Sequence, residues 1–254
     1  MAAERERPSA PKIAGMLMKI GVMGGATGDF AKDHLDKAHR LGEAIARRGC
    51  LLITGGCPGL PHAAACGAKQ AGGFVVGISP GLSLDEHINK YGSPAEFHDV
   101  LIYTGSGLMG REVVNIRSSD IVIIIGGRSG TLGELAIAYD EGKLIGVLTG
   151  TGGVSDLVKD ILEACEKDTG ARVVYDAQPE RLIEELLRVY EQEHFRRPSV
   201  FSGPEAHPNQ QQDVVCGMWI APGAVVAQRT VQGKTYVFCS TACADQFDAR
   251  HTKQ

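Results

Sequence analysis

Residues 120–134 read DIVIIIGGRSGTLGE. Ile121–Ile125 is an unbroken run of β-branched residues. A strand with one wet face would alternate apolar and polar side chains. A continuous run therefore describes a strand covered on both faces, the kind found in parallel sheets with helices on either side. The glycine-rich GGRSG behind it is a tight turn, and the residues from Thr131 onward start a helix. A strand, a glycine turn and a helix N-terminus in that order put unpaired backbone N–H groups where an anion can be held.

The same unit recurs along the chain. KIGVM, CLLIT, FVVGI, VLIY, DIVIII, KLIGVL and ARVVY are short apolar runs bounded by Gly, Pro or Asp, and each is expected to be a strand. Helical spacing fills the gaps. In Asp29–Arg48, Phe30, Leu35, Ala38, Leu41 and Ile45 recur on one face, and Gly49 stops the helix. Leu60–Ala71, Val154–Lys167 and Pro179–Glu193 are further helices, the last with proline in its first turn. Alternation of this kind predicts an α/β, Rossmann-like, doubly wound parallel sheet.

Composition narrows the class. A chain of 254 residues holds one sizeable domain and a small one. A net charge of −4 offers no basic field for nucleic acid, and no apolar run is long enough for a membrane span. Seven cysteines without dense spacing point to a reducing cytoplasm rather than a secreted disulfide scaffold. MAAERERPSAPKIAG reads as a disordered tail, with the tail set at 1–17. A first domain is expected over 18–193 and a Pro-, Gln- and Ser-rich linker over 194–212. A second domain over 213–254 is too small to be stable without a metal or a docking partner.

Glycine collects behind five successive strands, in GVMGGATGD, TGGCPGLP, SPG, TGSGLMGR and GGRSGTLGE. Open α/β sheets bind ligands at those strand ends. There is no G-x-G-x-x-G after the first strand and no G-x-x-x-x-G-K-[ST], which disfavours a dinucleotide and Walker-type hydrolysis. A small phosphorylated, mononucleotide-like ligand fits better, with no cofactor evident in this domain. Thr131-x-x-Glu134 has the spacing of a capping box, so spacing alone leaves Glu134 open between a helix cap and a chemical role. Arg111 is similarly open between a solvated helix residue and a site residue. Ser119 and Asp120 are read as the end of a helix. His34, His39, His62, His87 and His98 have no ligand spacing and are expected at the surface, with His62 the one closest to a glycine loop. Cys50, Cys66 and Cys165 are expected to be small buried residues. Cys57, inside a glycine loop, is expected to be more accessible.

GREVVNIRSSDIVIIIGGRSGTLGELAIAYDEGKLIGVL resembles the LOG-like superfamily. Its members include cytokinin-activating nucleoside-monophosphate phosphoribohydrolases, long mislabelled lysine decarboxylases, and related molybdenum-cofactor carriers. The hallmark is PGGxGTxxE with an arginine upstream of Ser-Asp. Gly127, Gly130, Thr131 and Glu134 match it, and Arg111 stands eight residues before Ser119. Gly126 replaces the proline, as the carrier-like branch allows, and Arg128 replaces the second glycine. The resemblance covers about residues 18–190 and is closer to the carrier-like branch. It implies Arg111 and Glu134 as catalytic residues for cleavage of a phosphoribosyl N-glycoside. It implies a ligand and phosphate cradle from Gly24, Gly25, Gly55, Gly56, Gly127, Arg128, Ser129, Gly130 and Thr131, and a homodimer. The alternative it leaves is a carrier without turnover.

DVVCGMWIAPG and VQGKTYVFCSTACADQF hold three cysteines, with a hairpin of AVVAQRTV and KTYVF expected about QGK. Cys239-x3-Cys243 at a turn into a helix, with Cys216 arriving from a loop, can face one soft ion such as zinc or copper. The segment resembles the YHS domain, matching at Asp213, Cys216, Gly217, Met218, Gly233, Lys234, Tyr236, Phe238, Cys239, Ser240, Cys243 and Phe247. The resemblance implies a small metal-binding module. His251 and His207 are candidate fourth ligands, and an open fourth position is the alternative.

Overall fold

The computed structural model describes residues 12–13, 16–194, 210–231 and 233–251. Of the expected tail, β1 (Lys12–Ile13) and β2 (Met16–Leu17) are short strands; its other residues up to 15 lie outside the described ones. Of the expected linker, 195–209 lie outside them too, His207 included. The chain divides into two compact units, carried by Leu17–Arg188 and Val189–Gln254.

The first unit is a seven-stranded parallel sheet. In chain order its strands are β3 (Lys19–Gly24), β4 (Leu51–Thr54), β5 (Val75–Ser79), β6 (Val100–Tyr103), β7 (Ile121–Ile125), β8 (Leu144–Leu148) and β9 (Arg172–Asp176). Their spatial order is β6-β5-β4-β3-β7-β8-β9. The chain steps outward from β3 to one edge, returns, and steps outward from β7 to the other. The order reverses between β3 and β7, which pair from Ile20↔Ile121 to Gly24↔Ile125. In such a sheet the ligand crevice opens at this switch point, outside the strand C-termini.

The opening stretch folds as its pattern dictates. Every residue of β7 and β8 is buried. Val122, Ile124, Ile145 and Val147 pack with Ile116 of α3 (Gly107–Ser118), Leu135 and Ala138 of α4 (Ser129–Asp140) and Val158 of α5 (Val154–Cys165). Each such side chain contributes about 1.5–3 kcal/mol of burial. On the β4 side, α1 (Lys32–Arg47) buries Ala38, Leu41, Gly42, Ala44 and Ile45. Gly49, at φ 70, closes it: Gly49 N–H donates to the Ala46 carbonyl and Cys50 N–H to that of Ile45. Helix α1 lies against α2 (Leu60–Gln70) so closely that a Cβ on Gly42 would stand 1.8 Å from the Ala64 carbonyl oxygen.

Helix α1 starts three residues later than Asp29. Phe30 is spent closing over Gly25 and Gly59, and Ala31 is extended. Helix α5 ends at Cys165 because Glu166 turns left-handed, and α6 (Pro179–Val189) passes into a π-helical turn at Tyr190–His194. Another π turn, Glu86–Lys90, breaks no pattern visible in the sequence.

The second unit contains β10 (Gln211–Gln212), β11 (Trp219–Ile220), the hairpin of β12 (Ala227–Val231) and β13 (Lys234–Phe238), and α7 (Thr241–His251). The hairpin pairs from Ala227↔Phe238 to Val231↔Lys234. Val215, Phe238, Cys243, Ala244 and Phe247 form its small core. Among the described residues no helix is long and apolar enough to cross a membrane.

Candidate functional site

Three glycine-rich loops meet at the switch point. After β3, Gly25 N–H donates to the Ile125 carbonyl at 3.3 Å, and the Gly25 carbonyl accepts the Leu60 N–H at 2.9 Å. After β4, Gly55 and Gly56 are buried, and Gly56 N–H donates to Thr54 Oγ1 at 3.0 Å. After β7, Gly126 and Gly127 take φ 55 and 97. The Thr131 side chain fills the place a Cβ on Gly127 would need. Ser129 and Gly130, the first residues of α4, are exposed. Leu132 N–H is the first to bond back into the helix, to the Arg128 carbonyl. The N–H groups of Ser129, Gly130 and Thr131 precede it, the usual unpaired donors of a helix start.

The hinge between the two readings of Glu134 is where α4 begins. Its N-cap is Arg128, with no side-chain cap, and Thr131 sits inside the first turn. The capping-box reading is therefore overturned: Thr131 is not the cap, so Glu134 has no cap to complete. Glu134 is instead buried, 6% exposed, facing α3. Burial raises its carboxyl from 4.5 to about 7; Arg111 pulls it down, Glu112 pushes it up, and a hydrogen bond from Asn115 favours the charged form.

Arg111 is also buried, and its guanidinium approaches Gly55 through one nitrogen: a Cβ there would stand 1.6 Å from Nη1. Arg111 Nε, Glu112 Oε2 and Asn115 Oδ1 are buried with no hydrogen-bond partner among the described residues. Burial raises the Glu112 carboxyl as well, and its oxygens rest over Gly130 and Gly133 of α4. Cys57 completes the group. Burial raises its thiol, Arg111 draws it down, and Glu134 raises it. Arg111, Glu134 and Cys57 thus share one electrostatic neighbourhood with Glu112 and Asn115, two residues that sequence reading missed. The signal lay in the spacing: Arg111, Glu112, Asn115 and Ile116 share the buried face of α3, where polar residues are costly without a purpose.

Arg128 is exposed at the start of α4. Its Nη2 donates to the Thr27 carbonyl at 2.8 Å and lies over Gly28, tying the β7 loop to the β3 loop. Ser119 and Asp120 are structural, as expected. Ser119 Oγ donates to the Asn115 carbonyl, and Asp120 pairs with Lys19 at 2.8 Å. Two expectations fail. His87 has no exposed surface; its ring bonds Ser79 Oγ and the Pro94 carbonyl and lies against Gly56. Cys165, the last residue of α5, is exposed and Cys66 only half-buried; Cys50 is buried.

In the second unit Cys216, Cys239 and Cys243 converge. Sγ of Cys216 and Cys239 are 3.4 Å apart, and those of Cys239 and Cys243 are 3.8 Å apart. Two metal–sulfur bonds of about 2.3 Å at a tetrahedral angle span about 3.8 Å, so the thiols fit one ion. Asp213 joins them: the four ligand atoms lie within 4.8 Å of one another. Burial raises the Cys216 and Cys243 thiols. The side chain of His251 lies outside the described residues.

The fold defines an α/β, Rossmann-like protein whose glycine-rich loops meet at a topological switch point. The chain belongs to the SLOG cluster4 family, whose model matches residues 17–183. It is 41% identical over 132 residues to an uncharacterized protein of Archaeoglobus fulgidus, spanning 52% of this chain and 80% of that one. It is 31% identical over 115 residues to the cytokinin riboside 5′-monophosphate phosphoribohydrolase of Mycobacterium tuberculosis, spanning 43% of this chain and 56% of that one. The solved molybdenum cofactor binding protein of Rippkaea orientalis is similar at 32% identity and TM-score 0.56, over 68% of this chain and 96% of that one.

Proposed function

We propose that the first unit is a phosphoribohydrolase-type N-glycosidase that cleaves a nucleoside 5′-monophosphate to free base and ribose 5-phosphate. One observation carries the reading: Glu134 is released from capping, buried, and set beside Arg111 with a carboxyl that titrates near 7. The 5′-phosphate takes the N–H groups of Ser129, Gly130 and Thr131, with the backbone of Gly24, Gly25, Gly55, Gly56 and Gly127 around it and Arg128 holding the loops together. The reaction breaks the bond from C1′ to the base nitrogen. The base leaves with the bonding electrons, water adds its hydroxyl to C1′, and the proton that water gives up to Glu134 passes on through solvent to the base nitrogen. Ionised Glu134 stabilises the positive charge at C1′ and takes the proton of that water. Arg111 keeps Glu134 partly ionised despite burial and orients the ribose 5-phosphate.

A carrier that binds a phosphorylated ligand without turnover is the second reading, favoured by the likeness to the Rippkaea orientalis protein over 96% of its length. Glu134→Gln separates the two. The hydrolase reading expects the variant to bind nucleoside monophosphates with unchanged Kd and to release no base. A carrier expects wild type and variant to behave alike.

For the second unit we infer a YHS-like metal-binding module that holds zinc or copper through Cys216, Cys239 and Cys243. The two short Sγ spacings support it, and all seven free cysteines suit a reducing cytoplasm. We also infer a homodimer. Edge strand β6 exposes Val100 and Ile102, and α3 exposes Leu108 and Met109, apolar surface that a two-fold partner would cover.

A further inference from the structure

Asp213 has no exposed surface and touches both cysteine-bearing turns. Its Oδ1 accepts the N–H of Val215 at 2.8 Å and that of Cys216 at 3.3 Å. Its Oδ2 accepts the N–H of Cys239 at 2.8 Å, from the end of the hairpin twenty-six residues on. Its backbone closes the same loop: Asp213 N–H donates to the Met218 carbonyl, and Gly217 N–H, at φ 72, donates to the Asp213 carbonyl. A carboxylate offers about four acceptor positions. Three are taken here by backbone donors that show no other partner among the described residues.

Distance alone would admit Asp213 as a fourth ligand, since its oxygen lies within 4.8 Å of all three sulfurs. Hydrogen bonding argues otherwise. Turning Oδ1 toward an ion would leave the buried N–H groups of Val215 and Cys216 unpaired, and the one acceptor position left over is met by the side chain of Cys239, itself one of the three thiols. The same three bonds fix the backbone at two of the three cysteines. We propose that Asp213 is not a ligand but the clamp that joins the Cys216 and Cys239 turns and sets their sulfurs at ligating distance before an ion arrives, leaving the three thiols as the ion's protein ligands. This rests on the metal-binding reading of the second unit.

The test uses the full chain and zinc. X-ray absorption of the zinc-loaded wild type and of Asp213→Asn is expected to show the same sulfur shell near 2.3 Å and the same light-atom shell. Chelator competition is expected to show zinc bound about 10–100-fold more weakly by the variant, as for other residues that orient ligands. A light atom present in wild type and missing from the variant makes Asp213 a ligand and overturns the proposal; so do equal affinities. Amide hydrogen exchange covers the case in which the variant does not fold. The Cys216 and Cys239 amides of wild type should be protected both with and without zinc. Open amides in the zinc-free protein, or release of the Cys239 amide on loading, also overturn the clamp. If wild type takes up no zinc or copper, the metal reading fails, and amide protection alone decides the clamp.

Discussion

Replacing Glu134 by Gln should remove activity and change how stability depends on pH. The folded carboxyl titrates at about 7 against 4.5 for an ordinary one. The fold therefore prefers the protonated form, and between those values the folded state binds more protons than the unfolded state. Stability falls as pH rises through that window and levels off above it. At about 1.4 kcal/mol per pH unit the gap amounts to about 3 kcal/mol, an upper figure for one group. The amide that Glu134→Gln introduces does not titrate, so the variant escapes this loss. Thermal unfolding of both proteins at pH 5 and pH 8.5 reads it directly. The stability of the variant relative to wild type should improve by roughly 2–3 kcal/mol between the two pH values, which is about 5–10 °C in Tm for a unit of this size. Comparing two pH values cancels whatever the amide does to Arg111. A difference that is the same at both pH values, or that moves the other way, refutes the claim that Glu134 is a buried, reluctantly ionised carboxyl.

Gly55→Ala sets a methyl where Arg111 Nη1 now lies, 1.6 Å away, and so displaces the guanidinium; base release should fall roughly 100-fold, measured as kcat/KM. Gly42→Ala meets the Ala64 carbonyl backbone at 1.8 Å instead of a movable side chain. It should lower stability by about 1–3 kcal/mol in denaturant titration, with nucleotide affinity unchanged. Cys239→Ser removes the sulfur shared by both short Sγ spacings. Elemental analysis of the purified variant should show metal reduced to less than about one-tenth equivalent, with the first unit's melting unchanged.

The parallel sheet was legible because its strands are buried on both faces: Ile121–Ile125 and Leu144–Leu148 have no wet side to encode. Gly49 was legible as a stop because the left-handed position it occupies admits few other residues. Failures came where tertiary contacts compete with local pattern. Thr131-x-x-Glu134 has capping spacing, but the turn is set earlier in the chain by Gly127, whose missing Cβ makes room for Thr131. Phe30 fits the apolar stripe of α1 and is claimed instead by Gly25 and Gly59 across the loops. His87 carries no local sign of burial; its partners Ser79 and Pro94 lie eight and seven residues away along the chain. Glu112 and Asn115 were overlooked because a polar residue on a helix reads as solvated until its neighbour across the packing is known. Here that neighbour is Glu134.

The most direct test of the central claim is multiple turnover. Purified full-length protein is incubated with a panel of nucleoside 5′-monophosphates, and free base is followed by chromatography over time. The account predicts many equivalents of base per site from at least one substrate, with ribose 5-phosphate in equal amount. It also predicts an apparent pKa near 7 on the acidic limb and roughly 100-fold or greater loss in Glu134→Gln. Nucleotide that binds but yields no base above the buffer control, in wild type as in the variant, would contradict it and leave a carrier.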